Sequence, residues 1–173
     1  MQQTAIDMAA TILEASASGA PYRLEYVRGR LKIEASPASR HQKTARRIER
    51  SLRPIHAGEH TCGCFGLQDV LIRFPDPDGS LKRPDIAIFC TEPPDTDEAL
   101  TVLPDAVIEI LSVGYEDKDL GADGAPFYRA HGIADVLVVD PRGGLALHYH
   151  DDQVDHITAP ALVSFACGCT VTV

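Results

Sequence analysis

Two unbroken apolar runs in this chain each hold one carboxylate. RPDIAIFC, residues 83–90, carries Asp85 near its start, and AVIEILS, residues 106–112, carries Glu109 between Ile108 and Ile110. Continuous apolar runs of this length, bounded by turn residues, read as buried strands. An ionised carboxylate in such a run is costly unless a cation, a metal or a hydrogen-bond donor compensates it. Glu109 is therefore either half of a structural ion pair with an arginine or part of a functional site.

The rest of the pattern surrounds these strands. Residues 4–17 carry a modest apolar stripe at helical spacing (Ile6, Ala9, Ala10, Leu13, Ala17), ended by Gly19 and Pro21. YRLEYVRGRLKIEAS alternates like two short strands joined at Arg28-Gly29. Glu25 falls on its polar face, which reads as solvated. After the Ser36-Pro37 turn, a helix is expected from Ser39 to Arg53, stopped by Pro54. On a helical wheel Arg40, Lys43, Arg46, Arg47, Arg50 and Arg53 share one face, while His41 joins Ala45, Ile48 and Leu52 on the other.

Turn residues from His60 to Gly63 precede GLQDVLIRF, expected as one strand ending at Pro75–Gly79. The acidic, proline-rich segment 92–97 reads as a loop, with a helical turn near Asp97–Leu100. In the segment 112–133 a short, late helix is expected from Pro126 to His131. VLVVD at 136–140 reads as a central strand, and a C-terminal meander begins with LALHYH. The order predicts an α/β (α+β) fold, a mixed β-sheet flanked by helices, in one domain over residues 1–173.

Net charge changes the picture of partners. At −9 it argues against a protein that simply coats nucleic acid, but not against a nuclease whose carboxylates hold cations. The basic face of residues 39–53 is either a solvated surface or a track for phosphates, with Arg40, Lys43, Arg47 and Arg50 as candidate contacts. The N-terminal segment lacks a basic start and an unbroken apolar core, and no stretch has the length of a membrane span. The expected location is thus cytoplasmic, with the five cysteines read as thiols.

Three constellations bear on chemistry. Asp85 and Glu109 on neighbouring strands offer oxygen ligands for Mg²⁺ or Mn²⁺, with Lys118 the only lysine close downstream. Cys62, Cys64, Cys167 and Cys169 form two Cys-Gly-Cys segments that would bind Zn²⁺ if they lay side by side. Structural zinc motifs leave at least two residues between cysteines, so small buried thiols are favoured, with a disulfide between the segments as a further option. His148, His150 and His156 lie near Asp151 and Asp152 but read more simply as an exposed hairpin.

Four segments, in order, resemble the Uma-two family of restriction-endonuclease-like proteins. They are YRLEYVRGRLKIEASPASRHQ, RPDIAIF, PDAVIEILS and FYRAHGIADVLVVDP, spanning Tyr22 to Pro141. The resemblance implies the PD-(D/E)xK nuclease fold, a restriction-endonuclease-like mixed sheet. It implies Asp85 and Glu109 as ligands of a divalent metal, Glu25 as an auxiliary acid and His41 as a helix residue lining the site. The superfamily's Glu-x-Lys would put lysine at position 111, where this chain has Leu111, and Lys118 is the available substitute. The expectation is a Mg²⁺- or Mn²⁺-dependent endonuclease acting on DNA, with a non-catalytic DNA-binding or oligomerising module as the alternative. A homodimer or higher homo-oligomer is the expected state.

Overall fold

The computed structural model describes residues 2–55 and 62–173, and the side chains from residue 8 onward within the first helix. Helix α1 spans Gln2–Ala17 and leads into the hairpin β1 (Tyr22–Val27) and β2 (Arg30–Ala35). Arg28 and Gly29 both take positive φ, +49° and +77°, the backbone a two-residue hairpin turn demands. That turn fixes the register, so Arg23 faces Glu34 and Glu25 faces Lys32.

Helix α2 covers Ser39–Ser51 and ends two residues earlier than expected. Arg53–Pro54 instead forms a short strand, β3, paired with the C-terminal strand. His41, Thr44, Ala45 and Ile48 are buried on one face of α2, while Arg40, Lys43, Arg46, Arg47 and Arg50 are exposed. The turn expected at His60–Thr61 lies outside the described residues.

GLQDVLIRF is not one strand. It divides into β4 (Phe65–Gln68) and β5 (Ile72–Arg73), because Asp69 turns through a φ of +53°. The break has a purpose in the packing: Asp69 accepts hydrogen bonds from Arg83 and Arg23. Strands β6 (Leu81–Lys82), β7 (Ile86–Phe89) and β8 (Ala106–Ile110) follow, and the helical turn expected near Asp97–Leu100 is absent. Leu100 bridges to Ile72 as an extended residue instead.

Beyond β8 the chain forms two short helices where one was expected. These are α3 (Glu116–Leu120) and α4 (Ala125–Ala130). Strand β9 (Asp135–Asp140) then pairs parallel to β8, and β10 (Leu145–His150), β11 (Gln153–Thr158), β12 (Leu162–Ser164) and β13 (Cys169–Thr172) complete the chain. The main sheet has the order β11-β10-β9-β8-β7-β4, so the apolar runs lie at its centre. A second sheet, β2-β1-β6-β5, carries the N-terminal hairpin, and a third joins β12, β13 and β3.

Alternate residues of β7 and β8 serve two cores. Ile86, Ile88, Ile108 and Ile110 pack with Ala45, Ile48 and Leu52 of the α2 region. Ala87, Phe89 and Val107 pack on the other face with Phe127 and Tyr128 of α4. Each fully buried aliphatic side chain contributes about 1.5–3 kcal/mol, so this doubly covered sheet is a rigid floor. Among the described residues no helix is long and apolar enough to cross a membrane.

Candidate metal and active site

The pairing of β7 with β8 brings the two carboxylates together. Ile86 pairs with Ile108, so one step further along the antiparallel ladder Asp85 faces Glu109. The Asp85 amide donates to Glu109 Oε2 at 3.2 Å, and the Ile110 amide donates to Asp85 Oδ2 at 2.7 Å. Both carboxylates are buried, Glu109 completely.

Each has further partners. Asp85 Oδ1 accepts from the Arg23 guanidinium at 3.0 Å, and Asp85 Oδ2 lies 3.0 Å from His41 Nε2. Glu109 Oε1 accepts from the Tyr128 hydroxyl at 2.7 Å. The Lys118 ammonium, carried on α3, lies 3.8 Å from Glu109 Oε2, 3.6 Å from Glu34 Oε2 and 2.6 Å from Asp119 Oδ1. Arg23 also pairs with Glu34 at 2.9 Å, which continues the network across the hairpin.

Glu25 is not solvated. It is buried and takes the Lys82 ammonium at 3.2 Å and the Arg83 amide at 2.7 Å. Lys82 is itself fully buried, donates to the Asp123 carbonyl and sits 4.9 Å from the centre of the Tyr128 ring. The polar face of β1 is thus turned toward the site. Alternation alone shows that β1 has two faces but not which one is covered.

The residues expected from sequence are therefore gathered: Asp85, Glu109, Lys118 and His41 are linked directly, and Glu25 lies next to them through Arg83 and Lys82. Arg23, Glu34, Lys82, Asp119 and Tyr128 were not foreseen as members. Arg23 and Glu34 were findable, since a two-residue turn at Arg28-Gly29 sets these opposite charges across from one another. Arg40, Lys43, Arg47 and Arg50 stay exposed on α2, and Arg46 of the same helix lines the cleft that opens onto Asp85.

Charge counting defines the site's character. Five buried carboxylates (Glu25, Glu34, Asp85, Glu109, Asp119) meet three cations (Arg23, Lys82, Lys118), which leaves two negative charges unmatched. The proton affinities record the strain. Burial raises Glu109, and Asp119 and Asp85 add to it beyond what Lys118 offsets. Burial would also raise Asp85, but the His41 hydrogen bond, Lys118 and Arg23 hold it well below the usual carboxylate range. Burial raises Asp119 to about 6 against the opposing pull of Lys118. Glu25 is held near 2, because Lys82, Lys118 and the Arg83 amide outweigh its burial. Burial pulls Lys118 down, but Glu109, Asp119, Glu25 and Asp85 together raise it well above the usual lysine value.

This donor set fits a divalent cation. With all five acids ionised the surplus equals the charge of one Mg²⁺ or Mn²⁺, whereas without a cation Glu109 keeps its proton up to about pH 8. Asp119 Oδ2 is buried with no hydrogen-bond donor among the described residues. Only cysteine sulfurs bring three potential ligand atoms within 4.8 Å of one another among the described residues, so the acid site offers a pair of carboxylates rather than a cage. Mg²⁺ suits such a pair, since it keeps several waters and uses one or two carboxylates. The histidine group expected near the C-terminus does not form a site. His148 is buried against Asp135 at 2.7 Å, while His150 pairs with Asp151 and Asp155 and His156 is exposed.

Two openings lead inward. A cleft of about 600 Å³ is lined by His41, Arg46, Asp69 and Asp85, and one of about 300 Å³ by Glu25, Glu34, Tyr115 and Lys118. Arg23 and Arg83 line both and so form the wall between them.

Comparison with known proteins agrees with this architecture. No curated protein matches the chain. A crystal structure from Anabaena variabilis ATCC 29413, described as a "putative nuclease belonging to DUF820", superposes with a TM-score of 0.59 at 18% identity, covering 84% of this chain and 83% of that one. At that identity the likeness is one of fold. The family model Uma2, described as "Putative restriction endonuclease", matches residues 10–164, nearly the whole length over which the sheet, α2 and the buried acids are laid out, and the chain belongs to that family.

Proposed function

We propose that this protein is a divalent-metal-dependent endonuclease that hydrolyses phosphodiester bonds in DNA. The observation that carries the reading is the pair Asp85 and Glu109, opposed on neighbouring strands with the Lys118 ammonium 3.8 Å from Glu109. A bound Mg²⁺ or Mn²⁺ would supply Lewis acidity toward a phosphoryl oxygen and toward an attacking water.

The residues divide the remaining work. Asp85 and Glu109 would hold the cation. His41 and the Ile110 amide fix the Asp85 carboxylate in its plane, and Tyr128 fixes that of Glu109. Lys118 is surrounded by carboxylates that keep its proton in place. Its role is therefore to neutralise charge developing on the phosphate rather than to accept a proton. Glu25 acts as an auxiliary acid at one remove, by anchoring Lys82 and the Arg83 amide. Arg46 and the exposed bases Arg40, Lys43, Arg47 and Arg50 would guide the DNA backbone toward the larger cleft.

One observation favours a second reading. Arg23 occupies Asp85 Oδ1 at 3.0 Å, a position from which a guanidinium competes with a cation for the same oxygen. A protein that kept this pair permanently would be a DNA-binding or assembly module without catalysis.

Calorimetric titration of Mn²⁺, together with nicking of supercoiled plasmid, separates the two. A nuclease binds Mn²⁺ and nicks. Asp85→Ala loses both, while Lys118→Ala loses nicking but keeps Mn²⁺ binding, and Lys43→Ala keeps both. Equal and negligible Mn²⁺ binding by wild type and Asp85→Ala would sink the metal reading and favour the module.

A further inference from the structure

The five cysteines, far apart in the chain, meet at one end of the first core. Cys62 and Cys64 lead into β4, Cys90 follows β7, and Cys167 and Cys169 flank the start of β13. In the structure Cys62 is joined to Cys90 and Cys64 to Cys169, with Cys167 free. The expectation of five thiols is thus replaced by two disulfides, and the two bridges touch, with Cys169 Sγ 3.4 Å from Cys62 Sγ.

Three details show a built arrangement rather than chance contact. The sulfurs of Cys62, Cys64 and Cys169 lie within 4.8 Å of one another, and so do those of Cys62, Cys90 and Cys167. The Cys64 amide points at the Cys62 sulfur at 3.4 Å. An amide directed at the sulfur two residues before it is the outer hydrogen bond that steadies a thiolate ligand. Finally, both central residues must be glycine. Gly168 has a φ of +93°, and a Cβ on Gly63 would lie 2.8 Å from the Cys90 carbonyl oxygen.

We propose that the reduced chain binds one Zn²⁺ through Cys62, Cys64, Cys90 and Cys169. Four thiolates at about 2.3 Å from Zn²⁺ stand about 3.8 Å apart in a tetrahedron. The sulfurs of Cys62, Cys64 and Cys169 lie within 4.8 Å of one another, and Cys90, bonded to Cys62, would swing toward them once its disulfide is reduced. Both Cys-Gly-Cys segments are too tight to form the usual loop of a zinc knuckle. Cys90, from a third strand, supplies the ligand that their spacing lacks. The metal would join the β4–β7 edge of the main sheet to β13 of the third sheet. Chemically, each disulfide takes two electrons and two protons from a dithiol reductant, which leaves as its own cyclic disulfide. The four thiols then release four protons as they close on the cation. This site is separate from the acid site and does not depend on how that site is read.

The test is reconstitution of the full chain. The protein is reduced with a dithiol, stripped of metal and titrated with Zn²⁺ and with Co²⁺ under nitrogen, in the Asp85→Ala background so that oxygen ligands do not contribute. One equivalent of Zn²⁺ is expected, and Co²⁺ is expected to give an intense sulfur-to-metal charge-transfer band with the visible spectrum of tetrahedral thiolate ligation. Cys62→Ser should abolish the band and Cys167→Ser should leave it unchanged. If Cys62→Ser does not fold, the stoichiometry and the cobalt spectrum of the Asp85→Ala chain with all five cysteines decide alone. Less than a tenth of an equivalent of either metal, or a cobalt spectrum without the thiolate band, overturns the proposal, as does loss of the band in Cys167→Ser with retention in Cys62→Ser.

Discussion

Replacing Glu109 by glutamine should make the metal-free protein less stable at pH 5 and more stable at pH 9. Glu109 is wholly buried, faces Asp85 and shares Lys118 with Asp119. Burial first, then Asp119 and Asp85, lift its carboxyl to about 8 against an ordinary value of 4.5. The native state therefore holds this proton more tightly than the unfolded chain does. Its contribution to stability is fully present below pH 4.5 and is lost as the pH rises toward 8. Each pH unit in that window costs at most about 1.4 kcal/mol. Sharing of the proton with Asp119 across Lys118 takes part of the total, leaving on the order of 3 kcal/mol.

Glutamine removes this charge but brings an amide that cannot accept from both the Tyr128 hydroxyl and the Asp85 amide. One buried donor is left unpaired, at a cost of about 1–3 kcal/mol. The two contributions have opposite sign and only the first depends on pH. Urea unfolding of both proteins in chelator at pH 5, 7 and 9 reads the difference directly, since most other groups cancel. With saturating Mn²⁺ the wild type should recover its stability at pH 9, and the variant should not. A stability difference that stays constant from pH 5 to 9 would refute the idea that Glu109 sits in an excess of buried negative charge.

Three further outcomes follow from the same geometry. Lys82→Met strips Glu25 of its buried cation and should destabilise the fold by about 3–5 kcal/mol in urea unfolding. The acid limb changes too: Glu25, held near 2, contributes stability above its ordinary 4.5 that is lost as the pH falls toward 2, and this loss should shrink in the variant. The double variant Lys43→Ala/Arg47→Ala should weaken DNA binding uniformly across sequences and reduce the dependence of log K on log salt by about 2, measured by fluorescence anisotropy. Moving the lysine back, as Leu111→Lys in a Lys118→Leu chain, should restore part of the plasmid nicking that Lys118→Leu loses; no recovery would mean that α3 supplies more than an ammonium.

The parts of this molecule legible in the sequence are those where burial is continuous. The β7 and β8 runs, β9 and the apolar face of α2 are written as unbroken or periodic apolar residues, and each carboxylate stands out against them. What was hidden has a shared cause. The hairpin β1–β2 shows alternating polar and apolar residues, a pattern that by itself reads its charged side as solvated. In the structure that side closes over the acids, so Arg23, Glu25 and Glu34 are buried or nearly so. The break at Asp69 was equally invisible, because the arginines that reward it, Arg23 and Arg83, lie 46 and 14 residues away. The cysteine pairing is hidden in the same way, since Cys90 joins the cluster only through the β4–β7 pairing.

Helix α3 is the instructive case. Its five residues, Glu116–Leu120, are nearly all charged and end at Gly121, so no apolar period marks them as a helix. Residues 107, 109 and 111 share one face of β8, and a lysine at 111 would approach Glu109 along the strand. Here Leu111 packs into the second core, and the ammonium arrives from outside the sheet on α3. A strand lysine is held by the ladder. A lysine on a one-turn helix must be held by its partners, which explains why Asp119 is buried beside it and why Glu34 reaches across from β2. The surplus of buried acid is thus a consequence of the displaced lysine: the same carboxylates that anchor Lys118 raise the negative charge around Asp85 and Glu109. Under the proposed function a divalent cation would satisfy that charge, with Arg23 yielding Asp85 Oδ1 to it.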